Sequence, residues 1–224
     1  MPFSFIPISA SKGSILDIGC GSGTQARALA RLCPRCSIVA TDIYQPFLDD
    51  LVREADRAGL TKNIKVMRVS MDDLSFPEHS FDVIWAEGSA FIMGIVPALS
   101  YWKKFLKPDG YLVFSDCTWF TDEPSEECRN FWKDVDPGLK NEDDIASSIR
   151  ALGYSVIAHF RLPEKAWWDN FYTPLTKKLD LLREKYADND EAGIILTGFE
   201  KEMDIYRKYP DEYGYTFFIL QNRA

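Results

Sequence analysis

Ile15-Leu-Asp-Ile18 is an apolar strand pattern that runs directly into Gly19-Cys-Gly-Ser-Gly23-Thr-Gln25, with glycines at alternate positions. Few backbone paths satisfy such a run. The glycines permit a sharp strand-to-helix turn, dihedrals closed to other residues, and close approach of a ligand to the main chain. A helix beginning near Ser22, with Ala26, Leu29 and Ala30 facing inward, would aim free N–H groups and the positive end of its dipole at the loop. The run therefore reads as a loop for a nucleotide-type ligand. A dinucleotide fingerprint, G-x-G-x-x-G, would need glycine at position 24, where Thr24 stands, and no Lys-Ser/Thr pair closes a triphosphate loop. Asp17 at the strand end would repel a pyrophosphate. A carboxylate there suits a cation.

Further strands follow at regular spacing. Ser37-Ile-Val-Ala-Thr41 ends on Asp42, and Ile64-Lys-Val-Met-Arg-Val69 runs into Ser70-Met-Asp-Asp-Leu-Ser-Phe-Pro77. Ser80-Phe-Asp-Val-Ile-Trp-Ala86 and Leu106-Lys-Pro-Asp-Gly-Tyr-Leu-Val-Phe114 come next. In order and spacing these segments, over residues 13–117, resemble the class I S-adenosylmethionine (SAM) methyltransferases, in particular the small-molecule branch typified by ubiquinone and menaquinone biosynthesis. The resemblance implies an α/β, Rossmann-like sheet of seven strands, mostly parallel with strand 7 antiparallel between strands 5 and 6, and helices on both faces. It also implies SAM as cofactor, held by Asp17, Gly19, Gly21 and Gly23, with Asp42 on the ribose hydroxyls and the Met71 N–H and Asp72 carboxylate at the adenine. Each has a plainer reading: turn glycines, a helix cap at Asp42, ordinary acidic turn residues at Asp72 and Asp73.

Alternation of short strands with amphipathic helices independently predicts a sheet covered on both faces. Phe47, Leu48, Leu51, Val52 and Ala55 recur at helical spacing up to Gly59, as do Trp102, Phe105 and Leu106 before Pro108-Asp-Gly110. Helices over 127–135 and 142–151 precede a sixth strand, Tyr154–Phe160, and Gly214–Gln221 supplies a seventh. Residues 1–224 are expected to form a single methyltransferase domain in which 162–213 is a helical insertion bordering the acceptor site. Within it Leu175, Leu179, Leu182 and Tyr186 mark one helix, and Ala192, Ile195, Phe199, Met203 and Tyr206 another. Trp167-Trp-Asp-Asn-Phe-Tyr172 either walls a pocket for a small organic molecule or anchors the insertion.

The expected reaction is transfer of the SAM methyl group to a small-molecule acceptor by in-line displacement, where rate comes chiefly from near-attack positioning. Glu87, just after the fourth strand, is the candidate catalytic residue, as a base or as an acid that orients substrate or bonds to the cofactor. Asp116, Trp119 and Trp168 are the candidate substrate contacts, with Cys117 and Thr118 beside them, and His159 is read as a core or rim histidine. Two other classes stay open: a non-catalytic SAM-binding or interaction protein, and an aminopropyl transferase of the same fold, which would show an acidic polyamine motif where Trp85-Ala-Glu-Gly-Ser89 stands.

A formal charge of −8 argues against a nucleic-acid partner. No run approaches a membrane span and Met1-Pro-Phe-Ser-Phe-Ile-Pro7 lacks a basic leader, so a cytoplasmic protein without a membrane partner is expected, with a homodimer as one option for its assembly. Its five cysteines are read as reduced thiols, Cys33-Pro-Arg-Cys36 as a helix end, and no metal site is expected. Only about a dozen residues precede the first strand, where many members of the resembled family carry covering helices; a mis-assigned start, a site more open to solvent, or cover from the insertion or a second subunit would each account for this.

Overall fold

The computed structural model describes residues 2–7 and 12–223. The chain divides into two compact units, one made of Met1–Asp116, Asp143–Phe160 and Phe217–Ala224, the other of Cys117–Glu142 and Arg161–Thr216. One seven-stranded sheet carries β1 (Ser14–Ile18), β2 (Ser37–Asp42), β3 (Ile64–Arg68), β4 (Phe81–Glu87), β5 (Leu106–Trp119), β6 (Tyr154–Arg161) and β7 (Tyr213–Asn222) in the order β3-β2-β1-β4-β5-β7-β6. Pairing is parallel from β3 across to β5. β7 runs the other way. Asn222 reaches the Lys107 carbonyl, Phe218 stacks on Phe114 and the Thr216 hydroxyl meets that of Thr118, so β7 descends as β5 ascends.

β1 lies inside the sheet between β2 and β4, and the chain leaves it toward β2 on one side and returns to β4 on the other. Such a reversal opens a crevice beyond the carboxyl ends of the strands, where ligands of open α/β sheets bind. Asp17, Asp42 and Glu87 all stand at those ends. The first unit's core is aliphatic and aromatic, with Leu16, Ile84, Leu99, Trp102, Leu112, Phe114 and Phe218 fully buried. Strands buried on both faces read as continuous apolar runs for this reason.

Helices α1 (Thr24–Leu32), α2 (Gln45–Arg57), α3 (Ile95–Trp102), α4 (Glu126–Val135) and α5 (Glu142–Ala151) follow the expected pattern with local differences. α1 starts at Thr24, later than Ser22, because Gly23 holds φ at 77° and cannot be part of the helix. α2 buries Leu48, Leu51 and Ala55 but leaves Phe47 and Val52 exposed, so its apolar stripe is narrower than the sequence suggested. α3 stops at Trp102 in a 3-10 turn, Lys103–Phe105, and Leu106 opens β5.

The second unit contains a short helix α6 (Glu164–Trp167), a π-helical turn over Trp168–Tyr172, and the helices α7 (Thr173–Lys185) and α8 (Asp190–Lys208). Asn189 caps α8 through its Oδ1, which accepts the Ala192 N–H at 2.9 Å. α8 buries Leu196, Met203, Ile205 and Tyr206, while Ile195, expected on the inner stripe, is exposed. No helix among the described residues is long and apolar enough to cross a membrane.

One expectation is overturned. Cys33 and Cys36 form a disulfide and are not both reduced, whereas Cys20, Cys117 and Cys128 are outside any disulfide. Pro34 ends α1, and the turn closed by the Cys36 N–H on the Cys33 carbonyl at 2.9 Å brings the two side chains together.

Phe218 is fully buried against Phe114, with ring centroids 5.0 Å apart, and against His159 at 5.8 Å. Phe218→Ala is expected to cost about 3–5 kcal/mol. Its denaturant midpoint, at unchanged slope, checks this.

Candidate functional site

The loop between β1 and α1 turns on Gly19, Gly21 and Gly23 with φ of 69°, 52° and 77°. Only glycine takes such angles freely. Their surroundings divide them. A Cβ on Gly19 would lie 2.6 Å from the Ser89 Cβ, and one on Gly23 would lie 2.1 Å from the Leu51 side chain. At Gly21 a Cβ would meet nothing within 4 Å. Gly19 and Gly23 are thus required by packing, and Gly21 is the position where the backbone faces open space. Gly21→Ala should cost only the strain of its φ, about 1–2 kcal/mol. Gly23→Ala adds overpacking and should cost about 2–5 kcal/mol, a difference readable in parallel denaturant melts.

Asp42 secures the loop. Its Oδ2 accepts the Gly21 N–H at 2.9 Å and its Oδ1 the Tyr44 N–H at 2.9 Å. The side chain therefore does not cap α2, whose first residues lack a side-chain cap. Cys20 donates to the Thr41 carbonyl at 2.9 Å, and Thr41 to that of Asp17, which sets the loop in register with β2. On the other side Ser89, buried after β4, donates its hydroxyl to the Ile18 carbonyl at 2.9 Å.

Asp17 sits at the centre of this frame. It is paired with Ala40 on β2 and Trp85 on β4, is only 2% exposed, and its Oδ2 has no hydrogen-bond partner among the described residues. Burial pushes its carboxyl up to about 8, with Glu87 and Asp42 adding repulsion. Glu87, also raised by burial, is held at both oxygens: Trp85 Nε1 donates to Oε1 at 2.7 Å and Gln25 Nε2 to Oε2 at 3.0 Å. The edge is a cluster of carboxylates in which Asp42 and Glu87 take their hydrogen bonds from neutral donors. It is electrostatically suited to a positively charged ligand.

The turn after β3 flanks the same loop. The Met71 Cε would lie 3.6 Å from a Cβ on Gly19, the Met71 carbonyl accepts the Trp102 indole N–H at 3.0 Å, and Ser70 donates to the exposed Asp72 carboxylate. Asp17, Gly19, Gly21, Asp42, Met71 and Glu87 are thus gathered at one edge of the sheet, while Gly23 serves it from behind. Asp116, buried, is near the end of β5 in the first unit. Trp119 and Trp168 belong to the second unit, where Trp119 packs edge-on against Tyr213 and the Trp168 indole donates to Glu164 at 3.2 Å. His159 is exposed at the rim, stacked on Phe218. No group of His, Cys, Asp and Glu among the described residues could hold a metal ion.

Three residues of this edge escaped the sequence reading: Gln25, Trp85 and Ser89. Trp85 was accessible, because residues i and i+2 of a strand share a face and Trp85 therefore accompanies Glu87.

Residues 15–110 match the family model described as a methyltransferase domain. Over that stretch, somewhat under half of the chain, the sequence is similar to a methyltransferase domain. Among curated relatives, the malonyl-[acyl-carrier protein] O-methyltransferase of Herminiimonas arsenicoxydans is 32% identical over 160 residues, 68% of this chain and 55% of that protein. The chain spans about a third to a half of the length of the first relatives it matches. A SAM-dependent methyltransferase from Geobacter sulfurreducens, solved with S-adenosyl-L-homocysteine, superposes with a TM-score of 0.80 at 18% identity, over 95% of this chain and 85% of that one. The [4+2]-cyclase SpnF superposes at 0.77 with 20% identity, over all of this chain and 78% of the other. The fold of this chain is therefore shared both with a SAM-dependent methyltransferase and with a protein named for a different reaction.

Asp17 titrates within a pH window that the structure defines. Its folded value of about 8 lies above its ordinary 3.8, so the folded state binds the extra proton between them. Its contribution to stability is complete below about pH 4 and is lost as pH rises through about 8. Asp17→Asn, which cannot ionise, should flatten that part of the stability–pH curve and be more stable than the parent at pH 8.5, measured by urea melts across the range.

Proposed function

We propose that this chain binds S-adenosylmethionine at the Asp17–Glu87 edge and transfers its methyl group to a small-molecule acceptor. The observation that carries the reading is the buried Asp17 Oδ2 without a partner, facing a second carboxylate beside a loop that is open at Gly21. A ligand with a cationic amino group and a sulfonium meets that demand; a dinucleotide does not. SAM supplies an electrophilic methyl group when bound. The chain's own residues bind, orient and desolvate. Gly19 and Gly21 bring the backbone close to the ligand, Asp42 receives the ribose hydroxyls with the lone pairs its two N–H bonds leave, and Met71 and Asp72 border the adenine. Glu87, held by Gln25 and Trp85, is oriented as an acid that binds a cation or positions a substrate; both of its oxygens are committed, which favours that role over general base.

The remaining assignments belong to the same proposal. Residues 1–224 act as one methyltransferase with 162–213 as its insertion, Asp116, Trp119 and Trp168 as candidate acceptor contacts, and a cytoplasmic location. The O-methyltransferase relative, named for a malonyl group, supports a small acceptor group. The cyclase neighbour supports a second reading, a donor-binding protein that does not transfer methyl groups.

Calorimetry with SAM and S-adenosylhomocysteine tests the donor site. Binding in the micromolar range is expected, weakened at least about tenfold by Asp42→Ala, and accompanied by proton release near pH 7 because the cation drives Asp17 to ionise. Heats that do not vary between buffers of different ionisation enthalpy, or no heat at all, would overturn it. Incubation of cell extract with isotope-labelled SAM then separates the two readings: label in a small molecule supports transfer, and label in nothing supports the second.

A further inference from the structure

In the second unit a groove of about 640 Å³ lies between the end of α7 and the outer face of α8, lined in part by Tyr186, Gly193, Ile194, Thr197, Gly198 and Lys201. Ile194 is 73% exposed, more than any other large apolar side chain among the described residues. A single exposed isoleucine is unremarkable, but this one belongs to a patterned stripe. Asp190, Ile194, Thr197 and Lys201 follow one another at intervals of four, three and four residues, the spacing by which one helix seams against another. At 3.6 residues per turn Gly193 and Gly198 flank that stripe, one on each side. Neither has a positive φ, and a Cβ on either would meet nothing within 4 Å. Glycine weakens a helix relative to alanine, and nothing within the chain demands it at these two positions.

The stripe is complementary to itself. Of the charged side chains lining the groove, Arg183 is paired with Glu200, whereas Asp190 and Lys201 are in no ion pair among the described residues. The midpoint between Ile195 and Leu196 is equidistant from Asp190 and Lys201, and equidistant again from Ile194 and Thr197. Two copies of α8 crossing there in antiparallel fashion therefore set Asp190 of each opposite Lys201 of the other, and Ile194 opposite Thr197. Two-fold symmetry makes the ion pair twice. A parallel pairing would set like charge on like. The Thr197 hydroxyl already donates to the Gly193 carbonyl at 2.9 Å, so it brings no unpaired donor to such a contact.

We propose that the groove along α8 is a homodimer interface, in which α8 packs antiparallel on α8 of a second copy with Asp190 and Lys201 paired across it. Ile194 is the apolar centre of the contact. Gly193 and Gly198 admit the partner's backbone, which places the helix axes at the short end of the usual range of about 8–10 Å. The charge pattern selects the occupant: an unrelated protein or a small molecule would have no reason to match a cation and an anion placed symmetrically about one point of the helix. From Asp190 to Lys201 is about 17 Å of helix, so the contact is smaller than a standard interface and the dimer is weak. The inference is independent of the donor site, because the groove belongs wholly to the second unit.

Sedimentation velocity of the full chain from about 1 to 500 μM tests the interface, and a monomer–dimer equilibrium with a Kd of about 10–100 μM is expected. Lys201→Glu and Asp190→Lys each set like charges opposite one another and should weaken the dimer at least about tenfold. The two changes combined rebuild the pair with its signs exchanged and should restore the affinity to within about threefold of the parent. Gly198→Leu should abolish the dimer and leave the far-UV circular dichroism and Tm of the monomer no lower than the parent's, because the position is open within one chain. A monomer at every concentration, a dimer indifferent to either single charge change, a double exchange no better than the single ones, or a dimer that survives Gly198→Leu would overturn the proposal.

Discussion

The feature on which the rest depends is a carboxylate placed where the protein itself does not satisfy it. Asp17 is fixed by an interior strand, with β2 and β4 hydrogen-bonded on either side, so it cannot turn toward solvent. Asp42 and Glu87 are brought to the same edge by the same sheet order, and each raises the cost of ionising Asp17. Repulsion of this kind persists only where surrounding structure over-determines it. Here the surroundings are specific bonds: Asp42 spends its oxygens on loop N–H groups and Glu87 on Gln25 and Trp85, which leaves Asp17 as the unmet demand.

The glycine loop follows from that demand. A ligand can reach Asp17 only past backbone, and the sheet can supply backbone there only if the chain leaves β1 at positive φ. Gly23 then allows α1 to dock on Leu51 of α2, Gly19 allows Ser89 to close over the end of β1, and Gly21 is left with nothing in front of it. One motif thus contains two packing glycines and one facing open space, a division that the letters of the sequence do not express.

What the sequence made legible was the part governed by period and punctuation. Strand ends at Asp42 and Glu87, the break at Pro34 and the stop at Gly59 are local events, and they came out within a residue or two. The phase of the apolar stripes was less legible: Phe47, Val52 and Ile195 have the right spacing but point outward, because which side of a helix is covered depends on neighbours distant in the chain. Gln25 and Ser89 were invisible for a related reason. Each acts across 60 residues or more, on Glu87 and on the Ile18 carbonyl, and nothing in their immediate sequence marks them. The disulfide was missed because compartment reasoning about scattered thiols ignored a turn that places Cys33 against Cys36.

A fold shared by a SAM-dependent methyltransferase and a [4+2]-cyclase cannot carry the chemistry in its sheet alone. The strand ends answer one question, the charge of what binds there, and do so with carboxylates.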